Sequence, residues 1–127
     1  MKRYQLEVRG ALFFTQAALK QQESVRVVSL LIDSGATYTI LSWATLVSLN
    51  LDPAGSTVRR PITTANGLVL MPEVLIERVD ALGQTVTQFP VLAHTIPLGS
   101  KVAGVLGMNF LRKFEIKLNF KHAFVEI

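Results

Sequence analysis

The sequence predicts an all-β fold class, mostly strand with two short helices, on three observations. Stretches alternate apolar and polar residues with period two, β-branched apolar runs are broken at intervals by turn residues, and an Asn-Gly pair sits between two such runs. Tyr4-Gln5-Leu6-Glu7-Val8-Arg9 alternates as a half-buried strand does and is read as the first strand. Gly10 fits a turn or a bulge, and Ala11 to Leu19 stays open between a continuing strand and a short helix. Lys20-Gln21-Gln22-Glu23-Ser24 is a polar connection, after which Val25 to Ile32 is a nearly continuous apolar run, the pattern of a strand buried on both faces. That run leads straight into Asp33-Ser34-Gly35-Ala36. Ser42 is placed to cap a short helix over Trp43 to Leu49, and Asn50 with Pro53-Ala54-Gly55 supplies the stop. Strands resume at Arg60 to Thr64 and Leu68 to Val79 around Asn66-Gly67, two residues that both tolerate positive φ and so favour a tight hairpin. Pro72 marks an edge or a bulge. Asp80 to Gln84 reads as a second turn leading to Thr85 to Phe89, which Val91 to His94 extends past Pro90, and Pro97-Leu98-Gly99-Ser100 reads as a loop. Val102 to Leu106 is another buried strand, Asn109 to Phe114 the second short helix, and Glu115 to Leu118 with Ala123 to Ile127 a closing hairpin.

At 127 residues, with no repeat, linker or low-complexity segment, residues 1–127 form one domain. A chain of this length buries roughly two-thirds of its unfolded surface, enough for an ordinary core. The absence of cysteine removes disulfides, thiolate nucleophiles and cysteine metal sites together, and fits a reducing compartment. Only 17% of the residues are charged, below the roughly 25% of an average soluble domain. The mean hydropathy of +0.38 is correspondingly high. No uninterrupted apolar run exceeds four residues, against the roughly 18 that a membrane span needs, so no membrane association is expected. Gln5, Glu7 and Arg9 interrupt the stretch after Lys2-Arg3 where the apolar segment of an export signal would begin, and a cytoplasmic location is expected. An oligomer interface is the remaining explanation for the surplus apolar content.

Asp33 is the position that demands an explanation, because it places a carboxylate where an apolar strand emerges. On composition alone Asp-Ser-Gly is good turn chemistry, with side-chain oxygens capping nearby amides and glycine taking a positive φ. The order of the surrounding pieces changes that reading. An apolar strand ending in Asp33-Ser34-Gly35-Ala36-Thr37 resembles the active-site signature of aspartic proteases. Val102-Ala103-Gly104-Val105-Leu106-Gly107, followed by the helical Asn109 to Phe114, resembles that family's later strand, which precedes a short helix. Between them the Asn66-Gly67 hairpin stands where the family keeps its flap. Order and spacing resemble the single-domain, retropepsin-like branch over roughly residues 25 to 127, as in a cellular or bacterial homologue.

The resemblance implies a closed, barrel-like fold with a flap, and hydrolysis of peptide bonds by an endopeptidase that uses no metal and no cofactor. One ionised carboxylate accepts a proton from the attacking water while a protonated one donates to the amide carbonyl, and two acids held close share a single proton. The apparent pKa values belong to the pair. This chain has one copy of the motif, since Asp80-Ala81-Leu82-Gly83 lacks the hydroxyl residue and adjacent glycine, and Asp52-Pro53 is a loop. A complete dyad therefore requires a symmetric homodimer in which each chain gives Asp33. Ser34, Gly35 and Ala36 are implied as its support: the Ser34 hydroxyl bonds across the axis and Gly35 lets backbone come close. Ala65, Asn66 and Gly67 are implied as the flap tip closing over substrate. The strands near Tyr4 and Val125 are implied to interleave between the two chains. The chain departs from the viral enzymes in having Thr37, Tyr38 and Thr39 where they carry acidic residues, in a flap tip poorer in glycine, and in a longer segment before residue 25. Those departures leave the substrate open, with an apolar preference expected from the Leu, Val, Ile and Ala available to line a cleft.

Other chemistries are less well supported. His94 and His122 have no third ligand at a recognisable spacing, so no metal site is expected. Ser34 lacks the glycine two residues earlier that a nucleophile elbow uses. Gly99, Gly104 and Gly107 are strand-end and turn glycines rather than a phosphate loop. Arg59, Arg60, Lys101, Arg112, Lys113, Lys117 and Lys121, with Phe110, Phe114, Phe120 and Phe124 nearby, could line a nucleic-acid surface. The phenylalanines follow buried-face spacing and the net charge is only +4, so a solvated basic face is preferred and no nucleic-acid partner is expected. The stronger rival keeps the fold and drops the reaction, leaving an inactive dimer that binds a peptide or another partner.

Overall fold

In the computed structural model, which describes residues 1–96 and 101–127, the chain opens with two strands rather than one. β1 (Arg3–Gln5) and β2 (Glu7–Arg9) are separated at Leu6, which is buried in the core and donates its N–H to Ala123 O at 2.8 Å. The break corrects the single strand expected from Tyr4 to Arg9: the apolar Leu6 side chain plugs the core and passes the chain from one sheet to another. Gly10 then turns the chain with φ 60° into β3 (Leu12–Gln21), which resolves the open segment as strand. Phe14 is buried on one face of β3, beneath the Arg9 guanidinium 4.6 Å from its ring, while Ala17 and Leu19 are buried on the other. Burial on both faces is why the alternation there was obscure.

The connection expected at Lys20 to Ser24 shrinks to a turn at Gln22-Glu23, and β4 (Ser24–Ile32) pairs with β3 along all but its last residue, from Phe14↔Leu31 to Gln21↔Ser24. Burial on both faces of β4 is not observed: Leu30 is its only fully buried residue, and Val25 and Val27 are 49% and 64% exposed. The reason is pairing, since β4 gains a second neighbour only at Leu30–Ile32, where β9 (Gly104–Leu106) runs parallel to it.

β5 (Ile40–Ser42) leads into α1 (Trp43–Ser48), where Ser42 is the N-cap as the sequence predicts, accepting from Thr45 N–H at 3.1 Å. Asn50, with φ 63°, and a 3-10 turn at Pro53–Gly55 end it. β6 (Arg59–Thr64) and β7 (Gly67–Ala81) form the central hairpin, with Thr64↔Gly67 closing the register. Only Gly67 takes positive φ, at 107°, and the unbroken register leaves Ala65-Asn66 as a two-residue turn, not one with positive φ at both Asn66 and Gly67. The next turn is narrower than expected, because Asp80 stays in the ladder opposite Thr85 and only Leu82-Gly83 connect β7 to β8 (Gln84–His94). The loop expected at Pro97-Leu98-Gly99-Ser100 lies outside the described residues.

The main sheet has the order β2-β3-β4-β9-β5-β8-β7-β6, and β3 also pairs with β7 from Ala17↔Ala81 to Lys20↔Arg78. That extra pairing joins the sheet back on itself into the closed, barrel-like fold expected. Leu19, Leu30, Leu41, Ile76, Val79, Phe89 and Leu106 belong to its core cluster. They are joined by Leu46 and Leu49 at α1 and by Phe110 of α2 (Met108–Leu111), edge-on to Phe89 with centroids 5.9 Å apart. Among the described residues no helix is long and apolar enough to cross a membrane.

β10 (Lys117–Asn119) and β11 (Phe124–Glu126) form the closing hairpin, shorter than expected. With β1 they make a second sheet in the order β1-β11-β10, in which Tyr4 and Leu118 both face Val125. The termini thus pair within one chain. β11 is bonded along both edges, so interleaving with a partner would require β1 or β10 to leave it. Phe110 and Phe124 are buried as their spacing suggested, whereas Phe120 is 65% exposed.

Candidate active site

Asp33 continues the β4 ladder by one bond, donating its N–H to Leu106 O at 3.1 Å, and there the backbone turns away as Ala36 N–H reaches Asp33 O at 3.2 Å. The carboxylate accepts from Gly35 N–H at 2.9 Å. Gly35 does not use the positive φ of an ordinary turn glycine; a Cβ there would stand 3.2 Å from Asp33 Oδ1, so its role is to let the carboxylate approach. Residues 36–38 then lie against the start of α2, with Met108 N–H bonded to Ala36 O at 2.7 Å and Asn109 N–H to Thr37 O at 3.1 Å. The contact is close enough to require Gly107, where a Cβ would fall 2.5 Å from Tyr38 O and 2.9 Å from Ala36 O. The two segments that carried the family resemblance therefore touch through backbone.

A polar knot holds this loop. Thr39, 2% exposed, is buried among apolar residues. Its hydroxyl donates to Asn109 Oδ1 at 2.8 Å and accepts from Gly107 N–H at 3.1 Å, and its own N–H also reaches Asn109 Oδ1 at 2.9 Å. Asn109 Nδ2 donates in turn to Pro90 O at 2.8 Å, and Leu92 N–H to Thr39 O at 2.9 Å, tying the loop to β8. Every side-chain nitrogen and oxygen of the pair is thus used, which fixes the loop's position below Asp33. Sequence reasoning passed over both residues. The available signal was a threonine next to the apolar Ile40-Leu41 and an asparagine in a short helix, a residue type that favours caps and local bonds over helix interiors.

Asp33, Gly35 and Ala36 open onto a cleft of about 520 Å³, walled by Thr37, Tyr38 and Ile40 and roofed by Pro61, Ile62 and Thr63 of β6. Asp33 is the only carboxylate in that lining, and Arg60, which precedes Pro61 on the roof strand, is engaged by Glu73 at 3.2 Å. The hairpin leans over the candidate acid, but its tip residues Ala65, Asn66 and Gly67 are exposed and lie outside the cleft lining. Ser34 also separates from its neighbours, opening into an apolar groove with Ile32, Leu111, Leu118, Phe120 and Val125. His94 is half-buried at the end of β8 opposite Ser42, and His122 is exposed in the β10–β11 turn. All seven of the basic residues considered for nucleic acid are exposed, and they are scattered: Arg59 and Arg60 on β6, Lys101 before β9, Arg112 and Lys113 just after α2, Lys117 on β10 and Lys121 in the β10–β11 turn.

A carboxylate at the end of an apolar strand, held by a glycine amide and facing a hairpin across a half-open cleft, is a site for acid/base work on an extended ligand. The chain is similar over 99% of its length to 99% of a retropepsin-like aspartic protease from Rickettsia conorii, with a TM-score of 0.75 and 18% identity, so the fold is retropepsin-like. No curated protein sequence matches. The family model described as aspartyl protease matches residues 16–110, from β3 through the later strand and into α2. The chain belongs to the aspartyl protease family.

Proposed function

We propose that this chain is an aspartic endopeptidase that works as a symmetric homodimer, each protomer contributing Asp33 to one shared site. The observation that carries the reading is the placement of a single carboxylate, with no second acid in its cleft, at the strand end where the family keeps its catalytic aspartate. One Asp33 is ionised and takes a proton from a bound water as its oxygen attacks the scissile carbonyl carbon. The other is protonated and donates to the carbonyl oxygen. The tetrahedral adduct collapses as the amide nitrogen receives a proton and leaves, with no covalent enzyme intermediate. Ser34 bonds across the axis, Ala36 and Gly35 shape the floor, and the hairpin carrying Ala65, Asn66 and Gly67 closes over the peptide. Ile40, Pro61 and Ile62 favour apolar side chains beside the cut.

A peptide-library digest comparing the unmodified chain with Asp33→Asn tests this. The variant should keep its fold and its dimer and lose cleavage altogether, and activity of the unmodified chain should peak on the acidic side of neutral. Cleavage that survives the substitution would sink the assignment. Peptide binding without cleavage in the unmodified chain would make it a binding module instead.

A further inference from the structure

We propose that the substrate cleft continues past Tyr38 into a second cavity, where Arg112 and Lys113 select an acidic side chain of the peptide, set back from the residues that flank the cut. The selection rests on the peptidase reading above and narrows its substrate class.

The cleft over Asp33 and a second cavity of about 470 Å³ share Thr37 and Tyr38 in their linings, so the two adjoin along that loop. An extended peptide advances about 3.3 Å per residue, so a few residues carry it from one into the other. Buried Phe89, with half-buried Pro90 and Met108, gives the second cavity an apolar base, and the exposed Arg112 and Lys113 border it. Both cations follow directly on α2. The start of that helix is bonded to the loop beyond Asp33 by Met108 N–H to Ala36 O and Asn109 N–H to Thr37 O, so backbone contacts set where the cations stand relative to the candidate acid.

In the two linings taken together, Asp33 is the sole acid and Arg112 and Lys113 are the sole cations. Among the described residues neither cation has a carboxylate within ion-pair distance, whereas Arg60 on the roof strand is engaged by Glu73. Asn109 also lines the cavity, but its amide is occupied by Thr39 and Pro90. Charge is therefore what the cavity has left to select with. Two neighbouring like charges repel, and a ligand carboxylate between them relieves that repulsion. An apolar base beneath two cations suits glutamate, whose methylenes rest on the base while its carboxylate faces the rim. A symmetric dimer presents the cavity toward both ends of the peptide, so an acid is selected on either side of the cut. Beside the cut itself, an acid meets the Asp33 pair and is repelled.

The test is a peptide series in which Glu or Gln is walked outward from the cut on each side, assayed at low and at high salt. Exposed ion pairs are weak, so Glu should exceed Gln by about 3- to 10-fold in kcat/KM at low salt, at an outer position and through KM, with the ratio shrinking as salt is added. Equal kcat/KM for Glu and Gln at every position would overturn the proposal and leave the peptidase reading intact. The double variant Arg112→Gln, Lys113→Gln should bring the Glu:Gln ratio to about one, and Arg112→Glu, Lys113→Glu should favour Lys at the same position. A Glu preference that survives either variant would also overturn it. If no peptide is cut, the peptidase reading fails, and fluorescence anisotropy of the same labelled peptides on Asp33→Asn chain decides the cavity separately: tighter binding of Glu than of Gln peptides upholds it, and equal binding refutes it.

Discussion

Replacing Thr39 by valine keeps the shape of the side chain and removes only its hydroxyl. The substitution deletes the bond to Asn109 Oδ1 and leaves the buried Gly107 N–H without its acceptor. An unsatisfied buried donor costs about 1–3 kcal/mol, and the lost bond adds to it, so about 2–3 kcal/mol is expected in all. The unfolding entropy scales to about 0.27 kcal/mol per kelvin for a chain of this length, so the midpoint should fall by about 7–11 °C. Thr39→Ser is the control, since it retains the hydroxyl and loses one buried methyl worth about 0.8 kcal/mol, or about 3 °C. Calorimetry of both variants at one protein concentration, which holds any contribution of self-association to the midpoint constant, reads the difference. If valine is no more damaging than serine, the Thr39–Asn109 knot does not hold the loop below Asp33.

Three further outcomes follow from particular contacts. Ser42→Ala removes the cap that accepts from Thr45 N–H and should cost about 1 kcal/mol, near 4 °C in the thermal midpoint; an unchanged midpoint would mean the cap is inert. Gly107→Ala forces a methyl against the backbone oxygens of Tyr38 and Ala36, which no side-chain rotation relieves, so its melting should be worse than that of Thr39→Val, and a normal melt would contradict the close approach. The Arg78 guanidinium, helped by the Thr85 hydroxyl, holds the Asp80 carboxyl below the ordinary 3.8. A lowered folded value gives stability that is present above the unfolded one and lost as the pH falls through the folded one. The urea midpoint should therefore drop more in the unmodified chain than in Asp80→Asn between about pH 5 and about pH 2, by a small amount because the pair faces solvent. Equal acid losses would remove Asp80 from the account.

What was legible in the sequence was what local chemistry decides. Ser42 as a cap, the turn at Gly10, the Asn66-Gly67 hairpin and the carboxylate ending an apolar strand each depend on neighbours within a few residues. The rest is set by contacts across the chain. Nothing near Leu6 says that its side chain enters the core and its amide bonds Ala123, and the apolar Val25 and Val27 cannot announce that β4 lacks a second neighbour at that end. Thr39 and Asn109 are 70 positions apart, so their partnership exists only once β9 has slotted between β4 and β5. Pairing of the termini is likewise a tertiary outcome, and it sends Ser34 into a different cavity from Asp33, although the two are consecutive.

The central claim is that two Asp33 side chains make one site, and subunit mixing tests it most directly. Unmodified chain is allowed to exchange with increasing Asp33→Asn chain at fixed total concentration, and cleavage is measured against composition. A shared dyad leaves mixed dimers inactive, so activity should follow the square of the unmodified fraction, falling to about one quarter in an equal mixture. Activity that instead falls in proportion, to about one half, would mean that each chain carries a site complete in itself.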